Sequence, residues 1–547
     1  MSKPSAAHRL IETLVVNGVS HVFCVPGESY LAVLDALVDF KDRIQVITCR
    51  HEANAANMAV AYAKLTRRPG VCFVTRGPGA THASIAIHTA SQDSAPVLLF
   101  VGQVARSDRG REGFQELDYP AVFGSMTKLA IELADPTRTV EIVTRAIATA
   151  TQGRQGPVVV ALPEDLLADD AGPRAPIAVK AEPASLSREA LKSIEERLAE
   201  SERPLLILGG TGWTDDVLLR LADWAKQIDL PVALSWRRKD LLDNDHPCYV
   251  GDLSIRPSPG LNERIKESDL LIAIGSRMGD IPTMGYQLLS SEEAAQKLIH
   301  IHPSAEDLNR VWHASLSAIA NEAEAASALV GLKISRRWTQ WRTQARSTFE
   351  KSLEPVTTVG AVNLSLIFSY LANTLPPESI LCNGAGNYAA WPNRFYRYRM
   401  PRTQLAPTSG AMGFGFPAGI AAKLIHPERD VIALAGDGCF LMAGQELATA
   451  VQYGINLITL VIDNGSYGTI RMYQEREYPG RVMATDLRNP DFAAYARAFG
   501  AWGTTVERTE QFASALEEAR QCGLPALIHI KIDVEDILPG QRLRPKQ

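Results

Sequence analysis

Residues Val431–Gly438 have the sequence VIALAGDG, an apolar run that ends directly in a glycine-flanked carboxylate. A helical pattern follows from Phe440 to Tyr453. Glycines let the backbone approach a ligand closely, a helix start favours negative charge, and an aspartate offers a hard oxygen ligand. The stretch predicts a buried strand, a tight turn and a helix that bind a phosphate through a metal ion. For Gly-Asp-Gly alone, a simple turn explains the residues equally well.

A second group of polar residues follows the next apolar run. Twenty-five residues separate Gly438 from Asn464, which comes directly after Leu457–Ile462 and one aspartate. Because the carboxyl ends of adjacent parallel strands lie side by side, we expect Asp437 and Asn464 to face one cation. With a loop carbonyl near Ser466 they would bind Mg²⁺, which keeps places for phosphate oxygens and water. A helix cap is the alternative role of Asn464.

Short apolar runs alternate with longer helical patterns along the whole chain. Continuous apolar strands between helices indicate parallel sheets covered on both faces. Two stretches interrupt the alternation and are interpreted as linkers: 168–187 is rich in Pro, Ala and Asp, and 333–358 is helical in composition but polar, with charges spread around it. They leave three doubly wound α/β domains, 1–170, 188–335 and 358–547. The predicted strands include Val71–Thr75, Pro96–Val101, Val158–Leu162, Leu205–Leu208, Leu270–Ile274, Val431–Ala435, Leu457–Ile462 and Ala526–Ile530.

The composition of the 547 residues is that of an ordinary globular protein. With 56 basic and 61 acidic residues the formal charge is −5, and no basic block indicates nucleic acid or an anionic membrane as partner. The longest apolar runs, such as Val97–Val101, are far shorter than the ~20 residues of a membrane span. The amino terminus lacks a signal-peptide core, and seven scattered cysteines form no disulfide framework. These features predict a soluble, cytoplasmic protein of enzyme size.

The two polar motifs together resemble the signature of the thiamine diphosphate-dependent enzyme superfamily, which is Gly-Asp-Gly followed at this spacing by Asn-Asn. The first Asn is Asp463 here, whereas Asn464 keeps the second, which is the metal ligand in the family. The resemblance covers the whole chain and is closest in the acetolactate synthase-like branch, among acetohydroxyacid synthase large subunits and benzoylformate decarboxylases. It implies pyrimidine-binding, central and diphosphate-binding domains, with Mg²⁺ on Asp437, Asn464 and Ser466.

The resemblance also implies which residues contact the coenzyme diphosphate. Residues 436–449 are similar to the phosphate helix of the family, so Gly436, Gly438 and Cys439 are implied as contacts. Asn387 and Tyr388 occupy the place of a family Gln-His pair that binds the same group.

A glycine-rich turn at 409–418 resembles the segment that supports the pyrimidine ring in the family. There, Met412 is implied to separate the two rings of the coenzyme, and the carbonyl of Gly410 to accept a hydrogen bond from the aminopyrimidine. Packing in a tight gap is the alternative role of Met412.

Two carboxylates are candidate catalytic groups. Glu52 begins a helical pattern after the predicted strand Val46–Cys49, where a carboxylate is ordinarily just favourable with the helix dipole. The family places a Glu at this His-Glu-Ala position against the pyrimidine ring, where it stabilises the imino tautomer; such groups contribute ~10²–10⁴-fold in rate. Glu28, in the turn Val25–Glu28, matches an acid that handles protons in the pyruvate decarboxylase branch, with a helix-start carboxylate as the alternative.

The residues implied to contact the substrate depart more from the family pattern than those implied to contact the coenzyme. Gln115 lies in a Phe-Gln-Glu segment that resembles a pocket-lining segment of acetolactate synthases. Arg471 and Tyr473 stand where those enzymes have apolar residues and a Trp; Arg471 would either hold a substrate carboxylate bidentately or lie on the surface. Arg76, with histidines nearby, is expected to join Arg471 in a local positive patch.

The central domain contains a glycine-rich loop, Gly209–Gly212, that lacks the last glycine of a dinucleotide fingerprint. In the acetolactate branch this domain binds FAD, and Gly275–Asp280 partly resembles the contacting segment. FAD therefore stays an open alternative.

The resemblance implies a thiamine diphosphate and Mg²⁺ enzyme that makes or breaks a carbon–carbon bond of a 2-oxo acid, in the manner of an acetolactate synthase carboligase. A non-ligating decarboxylase or lyase is the first alternative. A non-catalytic, cofactor-binding partner subunit and a flavoprotein without thiamine are alternatives of other classes. The family also implies a homodimer or homotetramer with active sites between subunits.

Overall fold

The computed structural model, which describes residues 4–335 and 337–543, contains three six-stranded parallel sheets. The first consists of β1 (His21–Cys24), β2 (Gln45–Thr48), β3 (Gly70–Val74), β4 (Val97–Gln103), β5 (Leu129–Glu132) and β6 (Val158–Pro163). The central sheet consists of β7 (Pro204–Leu208), β8 (Val232–Leu234), β9 (Tyr249–Asp252), β10 (Leu270–Ile274), β11 (Leu298–His302) and β12 (Leu316–Ile319). The third consists of β13 (Ile380–Asn383), β14 (Gln404–Leu405), β15 (Val431–Gly436), β16 (Ile458–Asp463), β17 (Trp502–Val506) and β18 (Ala526–Lys531).

Helices connect the strands. Those around the first sheet are α1 (Ala6–Val16), α2 (Leu31–Asp39), α3 (Glu52–Thr66), α4 (Gly77–Asp93), α5 (Tyr119–Phe123) and α6 (Thr139–Thr151). The central region has α7 (Arg188–Glu200), α8 (Asp215–Ile228), α9 (Leu261–Glu267), α10 (Ser291–Lys297), α11 (Glu322–Val330) and α12 (Thr339–Ser352). The remainder are α13 (Leu364–Thr374), α14 (Ala390–Phe395), α15 (Gly415–Ile425), α16 (Asp437–Phe440), α17 (Leu447–Gln452), α18 (Gly468–Glu477), α19 (Phe492–Ala498) and α20 (Phe512–Gln521).

The strand order confirms doubly wound sheets. It is β2-β1-β3-β4-β6-β5 in the first sheet, β12-β11-β10-β7-β8-β9 in the central one and β14-β13-β15-β16-β18-β17 in the third. The first and third sheets thus share one topology. The direction of winding reverses between β1 and β3, between β7 and β10, and between β13 and β15. Ligands of open α/β sheets bind beyond the carboxyl ends of the strands at such points, so each sheet offers one crevice.

The strands follow the apolar runs because burial on both faces requires them. All residues of β4, β6, β7 and β10 are buried, and each fully buried Val or Leu side chain stabilises the fold by ~1.5–3 kcal/mol. The eight strands predicted from the sequence agree with the observed bounds within two residues at each end.

The two predicted linkers have different outcomes. Residues 169–187 contain no helix or strand, as expected. The polar stretch 333–358, in contrast, contains α12, and its Trp341 and Phe349 are buried in the core formed with the central sheet. The linker interpretation of 333–358 is therefore wrong: a few large aromatic residues anchor a helix that is otherwise polar.

The described chain divides into two compact units. One carries the first sheet and nearly all of the third, and the other carries the central sheet; the first consists of Met1–Ala181, Leu381–Gly386 and Leu405–Lys531, and the second of Glu182–Ile380, Asn387–Gln404 and Ile532–Gln547. Residues 1–3 and 544–547, at the outer ends of the predicted first and third domains, lie outside the described residues. None of the described helices is both long enough and apolar enough to span a membrane.

Candidate active site

The predicted phosphate turn lies at the carboxyl end of β15. Gly436 is the N-cap of α16 and makes no side-chain cap hydrogen bond, and Asp437, the next residue, is buried. A Cβ atom on Gly438 would lie only 2.5 Å from Cε1 of the Tyr467 ring. The turn after β15 and the loop after β16 therefore pack directly on each other, as the spacing of the two motifs predicted.

A second carboxylate stands beside Asp437. The Asn489 amide Nδ2 donates to Asp437 Oδ2 and to Asp463 Oδ1, both at 2.8 Å. Nε2 of His529 lies 2.9 Å from the other oxygen of Asp463. Burial, with a further contribution from the charge of Asp463, raises the pKa of Asp437 to about 6. Burial also acts to raise the pKa of Asp463, but hydrogen bonds from His529, Gly465 and Asn489 outweigh it and lower that pKa.

The loop after β16 is held by its own hydrogen bonds. Asn464 Oδ1 accepts the Ser466 N–H at 3.1 Å, and the Ser466 hydroxyl donates to the carbonyl of Thr485 at 3.0 Å. The N–H of Tyr467 donates to the same carbonyl at 2.8 Å. The loop that carries the predicted metal ligands is therefore fixed on both sides.

These residues fit Mg²⁺ and a diphosphate. Asp437, Asn464 and the backbone carbonyl of Ser466 offer the oxygen ligands that Mg²⁺ prefers, and an amide oxygen that accepts one hydrogen bond keeps a second lone pair. The Asp437 carboxylate is buried next to another acid, so a cation there would relieve an unfavourable concentration of negative charge. The first turn of α16 has N–H groups for phosphate oxygens.

The predicted pyrimidine-supporting turn is held against the start of α16. The Gly413 N–H lies 3.2 Å from Cys439 Sγ, which joins the turn to α16. Gly410 is exposed with a φ of 69°, and nothing lies within 4 Å of the position of its missing Cβ. Met412 is half-buried. The backbone of Gly410 is thus accessible to a ligand, as its predicted role requires.

Glu52 lies at the carboxyl edge of the first sheet as the first residue of α3. Its side chain is 12% exposed, and Oε2 lies 2.9 Å from Nδ1 of His82 on α4. The rings of His51 and His82 stack with centroids 4.6 Å apart. Nδ1 of His51 accepts the N–H of Ala53, which caps the helix. The carboxylate is therefore held between the starts of two helices.

A deeply buried acid fixes the start of α3. Glu446, which is 0% exposed, accepts the backbone N–H groups of Arg50 and His51, each at 3.0 Å. Asn54 Nδ2 and the Thr449 hydroxyl donate to the same carboxylate. Burial raises the pKa of Glu446 against these donors.

Glu28 and Arg76 meet at the switch between β1 and β3. Glu28 is exposed, and one of its oxygens lies 3.7 Å from Arg76, which is nearly buried and also pairs with Glu164. On α18, Arg471 pairs with Asp486 at 2.9 Å. Carboxylates therefore compensate the positive charge of both arginines. The prediction that Arg76 and Arg471 form a local positive patch is wrong for this reason.

The other predicted substrate and coenzyme residues, Gln115, Tyr473, Asn387 and Tyr388, differ in their contacts and exposure. The carbonyl of Gln115, which has a φ of 65°, accepts the Gly77 N–H at the start of α4, while its side-chain Oε1 is buried without a described partner. Tyr473 is half-exposed on α18, under the guanidinium of Arg476. Asn387 and Tyr388 form a short 3-10 turn in the segment that follows β13.

The structure thus gathers the predicted residues into two sets at the edges of two sheets. Glu28, Glu52 and Gln115 belong to the first sheet, and Asp437, Asn464 and Ser466 to the third. Among the described residues, no hydrogen bond or ion pair joins Glu52 to Asp437. No sequence pattern indicated the residues that position both sets, which are Asn489, His529, His51, His82 as a partner of Glu52, and Glu446.

The glycine loop after β7 does not fit a flavin diphosphate. The Glu322 carboxylate, buried at the start of α11, accepts the N–H of Thr211 at 3.2 Å. Cβ atoms on Gly210 and Gly212 would lie 2.0 and 2.2 Å from its two oxygens. Glu322 therefore occupies the position next to the loop N–H groups that a phosphate would need.

Comparison with protein families matches three models in order along the chain. They are the N-terminal TPP binding domain (residues 4–122), the central domain (191–329) and the C-terminal TPP binding domain (384–530) of thiamine pyrophosphate enzymes. The chain belongs to the thiamine pyrophosphate enzyme family. In this family member, Glu52 lies within the N-terminal TPP binding domain and Asp437 within the C-terminal TPP binding domain.

Sequence similarity to individual relatives extends over nearly the whole length of the family member. It is 32% identical to a probable acetolactate synthase large subunit of Methanocaldococcus jannaschii, over 97% of this chain and 93% of that protein. It is 28% identical to the acetolactate synthase isozyme 2 large subunit of Escherichia coli K12, over 98% and 97%. An acetolactate synthase of Mycobacterium bovis is 29% identical, over 94% and 86%.

Proposed function

We propose that this chain is a thiamine diphosphate and Mg²⁺ dependent carboligase of the acetolactate synthase type, acting on a 2-oxo acid. The observation that carries the proposal is the pair of half-sites in its two TPP binding domains. A set of oxygen groups that would bind a metal follows β15 and β16, with Asp437 and Ser466 buried, and a held carboxylate, Glu52, follows β2. Similarity to acetolactate synthases along nearly the whole chain supports the reaction type.

At the third sheet, Asp437, Asn464 and the Ser466 carbonyl would hold Mg²⁺, and α16 would bind the diphosphate. Asn489 fixes the Asp437 carboxylate by donating to it. When bound, thiamine diphosphate supplies a nucleophilic carbon and an electron sink for the carbanion left by decarboxylation. Gly410 would accept a hydrogen bond from the pyrimidine, and Met412 would keep the coenzyme bent.

At the first sheet, Glu52 would exchange a proton with the pyrimidine ring nitrogen. Glu28 would handle a proton on the substrate side; its side chain is exposed, and one of its oxygens lies 3.7 Å from Arg76. The buried Oε1 of Gln115 offers a hydrogen-bond acceptor to a substrate. Arg471 could hold a substrate carboxylate only in competition with Asp486.

The smallest active unit would be a homodimer, with a homotetramer as the alternative. Several apolar residues beside the metal-ligand loops are exposed in the single chain, namely Leu441, Met442, Tyr467 and Ile470. Clustered exposed apolar side chains are typical of interaction surfaces. A partner subunit would cover them and bring its own Glu52 to the Asp437 half-site.

The test is a panel of 2-oxo acids with added thiamine diphosphate and Mg²⁺, scored for CO₂ and for ligated product. We expect Glu52→Gln to lower kcat about 10²–10⁴-fold while coenzyme stays bound, and Asp437→Asn to weaken Mg²⁺ binding. The exposed carboxylates Glu196 and Asp216 provide matched controls as Glu196→Gln and Asp216→Asn. Full turnover by Glu52→Gln with bound coenzyme would contradict the proposal.

A non-ligating decarboxylase is the second candidate, favoured by the exposed acid Glu28 at the crevice. In that case the panel yields CO₂ and aldehyde without ligated product. Glu28→Gln would then lower aldehyde formation, because the acid that protonates the product carbanion is removed.

A further inference from the structure

We propose that His82 is a positioning residue that holds the Glu52 carboxylate in the orientation needed for proton exchange with the coenzyme. The inference rests on the proposed function, because it concerns how Glu52 is presented to thiamine diphosphate. It adds a residue of α4 to a site whose acid lies on α3.

The contact itself fixes one of the two carboxylate oxygens. Nδ1 of His82 lies 2.9 Å from Glu52 Oε2, and only the Glu52 side chain is largely buried, at 12% exposure against 53% for His82. In the tautomer with the proton on Nδ1, His82 donates to this oxygen, which as part of a carboxylate can only accept. A charged acceptor makes this hydrogen bond stronger than one between neutral groups.

The second oxygen of Glu52, Oε1, makes no hydrogen bond within the described part of the chain. Gly79 lies one turn before His82 in α4, and a Cβ atom there would be 3.6 Å from Oε1 and 3.0 Å from the Thr75 side chain. His82 therefore holds Oε2, while Oε1 keeps its lone pairs for the coenzyme.

A second imidazole restricts how His82 can turn. The ring of His51 stacks on that of His82, with centroids 4.6 Å apart and planes inclined by 28°. Because His51 Nδ1 accepts the Ala53 N–H, this nitrogen carries no proton. Burial and the neighbouring His82 lower the pKa of His51, against an opposing effect of Glu52. The stacking partner is thus a neutral ring.

The position of that ring is set from the third sheet. Glu446 accepts the backbone N–H of His51 at 3.0 Å, and its carboxylate is fully buried. A series of contacts therefore leads from Glu446 to His51, from His51 to His82, and from His82 to Glu52. Such support determines catalytic geometry, since a misplacement of about 1 Å can cost roughly 10²-fold in rate.

The experiment measures how fast the bound coenzyme exchanges its thiazolium C2 proton with deuterium, in the full-length protein with thiamine diphosphate and Mg²⁺. His82→Leu removes the donor, whereas His82→Asn keeps an N–H on the atom next to Cγ. His88, exposed on the same helix, gives the matched control His88→Leu. We expect exchange to slow about tenfold or more in His82→Leu, to stay within about threefold in His82→Asn, and to be unchanged in His88→Leu.

Two further readouts separate positioning from a structural role. The dissociation constant of the coenzyme should change less than about threefold in His82→Leu, because the metal and diphosphate half-site is untouched. In a Glu52→Gln background, adding His82→Leu should cause no further slowing, since His82 acts through Glu52.

The outcomes distinguish the two hypotheses. Wild-type exchange in His82→Leu, together with slow exchange in Glu52→Gln, overturns the role of His82 and leaves the proposed function standing. Wild-type exchange in Glu52→Gln overturns the proposed role of Glu52 itself. Additional slowing of the double variant beyond Glu52→Gln shows that His82 acts independently and also overturns the inference.

Discussion

Glu446 shows how much a single buried side chain organises in this molecule. It accepts hydrogen bonds from the backbone of residues 50 and 51, from Asn54 and from Thr449, and it is fully buried. Its pKa is raised above the ordinary glutamate value of 4.5, chiefly by burial. The folded protein therefore binds a proton at Glu446 more readily than the unfolded chain does.

This shift predicts a pH dependence of stability. Above pH 4.5 the folded protein binds more protons at Glu446 than the unfolded chain does, so the free energy of unfolding falls as the pH rises through the raised pKa. Glu446→Gln stays neutral and lacks this loss. We expect its Tm, measured relative to wild type, to increase with pH above 4.5, whereas the difference for the exposed control Glu196→Gln stays flat. A difference for Glu446→Gln that does not change with pH would contradict the prediction.

Gly438 gives a steric prediction at the same scale. A Cβ atom would lie 2.5 Å from the Tyr467 ring, so Gly438→Ala must displace the ring or the loop behind it. Overpacking typically costs about 1–3 kcal/mol, and we expect the dissociation constant of Mg²⁺, measured by calorimetry with coenzyme present, to rise about tenfold or more. Gly124→Ala is the control, because nothing lies within 4 Å of its added Cβ. Equal Mg²⁺ affinity of the two variants would refute the close packing.

Between elements, a buried ion pair connects α3, α4 and the segment before α15. Lys64 and Asp93 lie 2.5 Å apart with side chains 4% and 0% exposed. Lys64 also donates to the carbonyl of Ala406, and Asp93 accepts the N–H of Thr408. Removing one partner leaves an uncompensated buried charge, whereas removing both does not.

We therefore expect Lys64→Met to destabilise the protein by about 3–5 kcal/mol, and Lys64→Met with Asp93→Asn to recover part of the loss. Denaturant unfolding of the full chain measures both. The surface pair of Lys192 and Glu196, with side chains 76% and 62% exposed, is the control, and Lys192→Met should have almost no effect. A Lys64→Met variant as stable as Lys192→Met would refute the structural role of the pair.

At this scale the sequence predicted elements better than their packing. A buried parallel strand requires a continuous apolar run, so β10 and β15 are visible locally, and the composition of 333–358 indicated a helix where α12 lies. The packing of α12 is not visible in the sequence, because its surface is mostly polar and only a few aromatic residues enter the core. Burial of those residues is a property of the packed core.

For the whole molecule, an active site shared between two subunits predicts that two nearly inactive variants recover activity when they are mixed. If Glu52 of one subunit works with Asp437 of another, a mixed dimer of Glu52→Gln and Asp437→Asn chains has one site with both residues intact. We expect each variant alone to have at most about a hundredth of wild-type activity at limiting Mg²⁺. Half of randomly mixed dimers are heterodimers, so we expect about a quarter of wild-type carboligase activity after mixing and reassociation. Mixtures that stay inactive while subunit exchange is demonstrated would place both residues in one chain.

The sequence by itself determined the sheets and where the proposed metal ligands lie along the chain. Apolar runs fix where strands form, and the glycines and oxygen ligands of Gly436–Gly438 and Asn464 lie within a few residues of a strand end. These are local properties, and strand ends always meet at one edge of a parallel sheet.

Only the tertiary structure decided which side chains support the site. Asn489 and His529 reach Asp437 and Asp463 from distant segments, and His82 reaches Glu52 from the next helix. Glu322 fills the crevice of the central sheet that a glycine pattern alone leaves open to a nucleotide. Such contacts depend on strand order and on how loops fold back over the sheet edge. These are set by the packing of the whole core, so neighbouring residues in the chain carry no local signal for them.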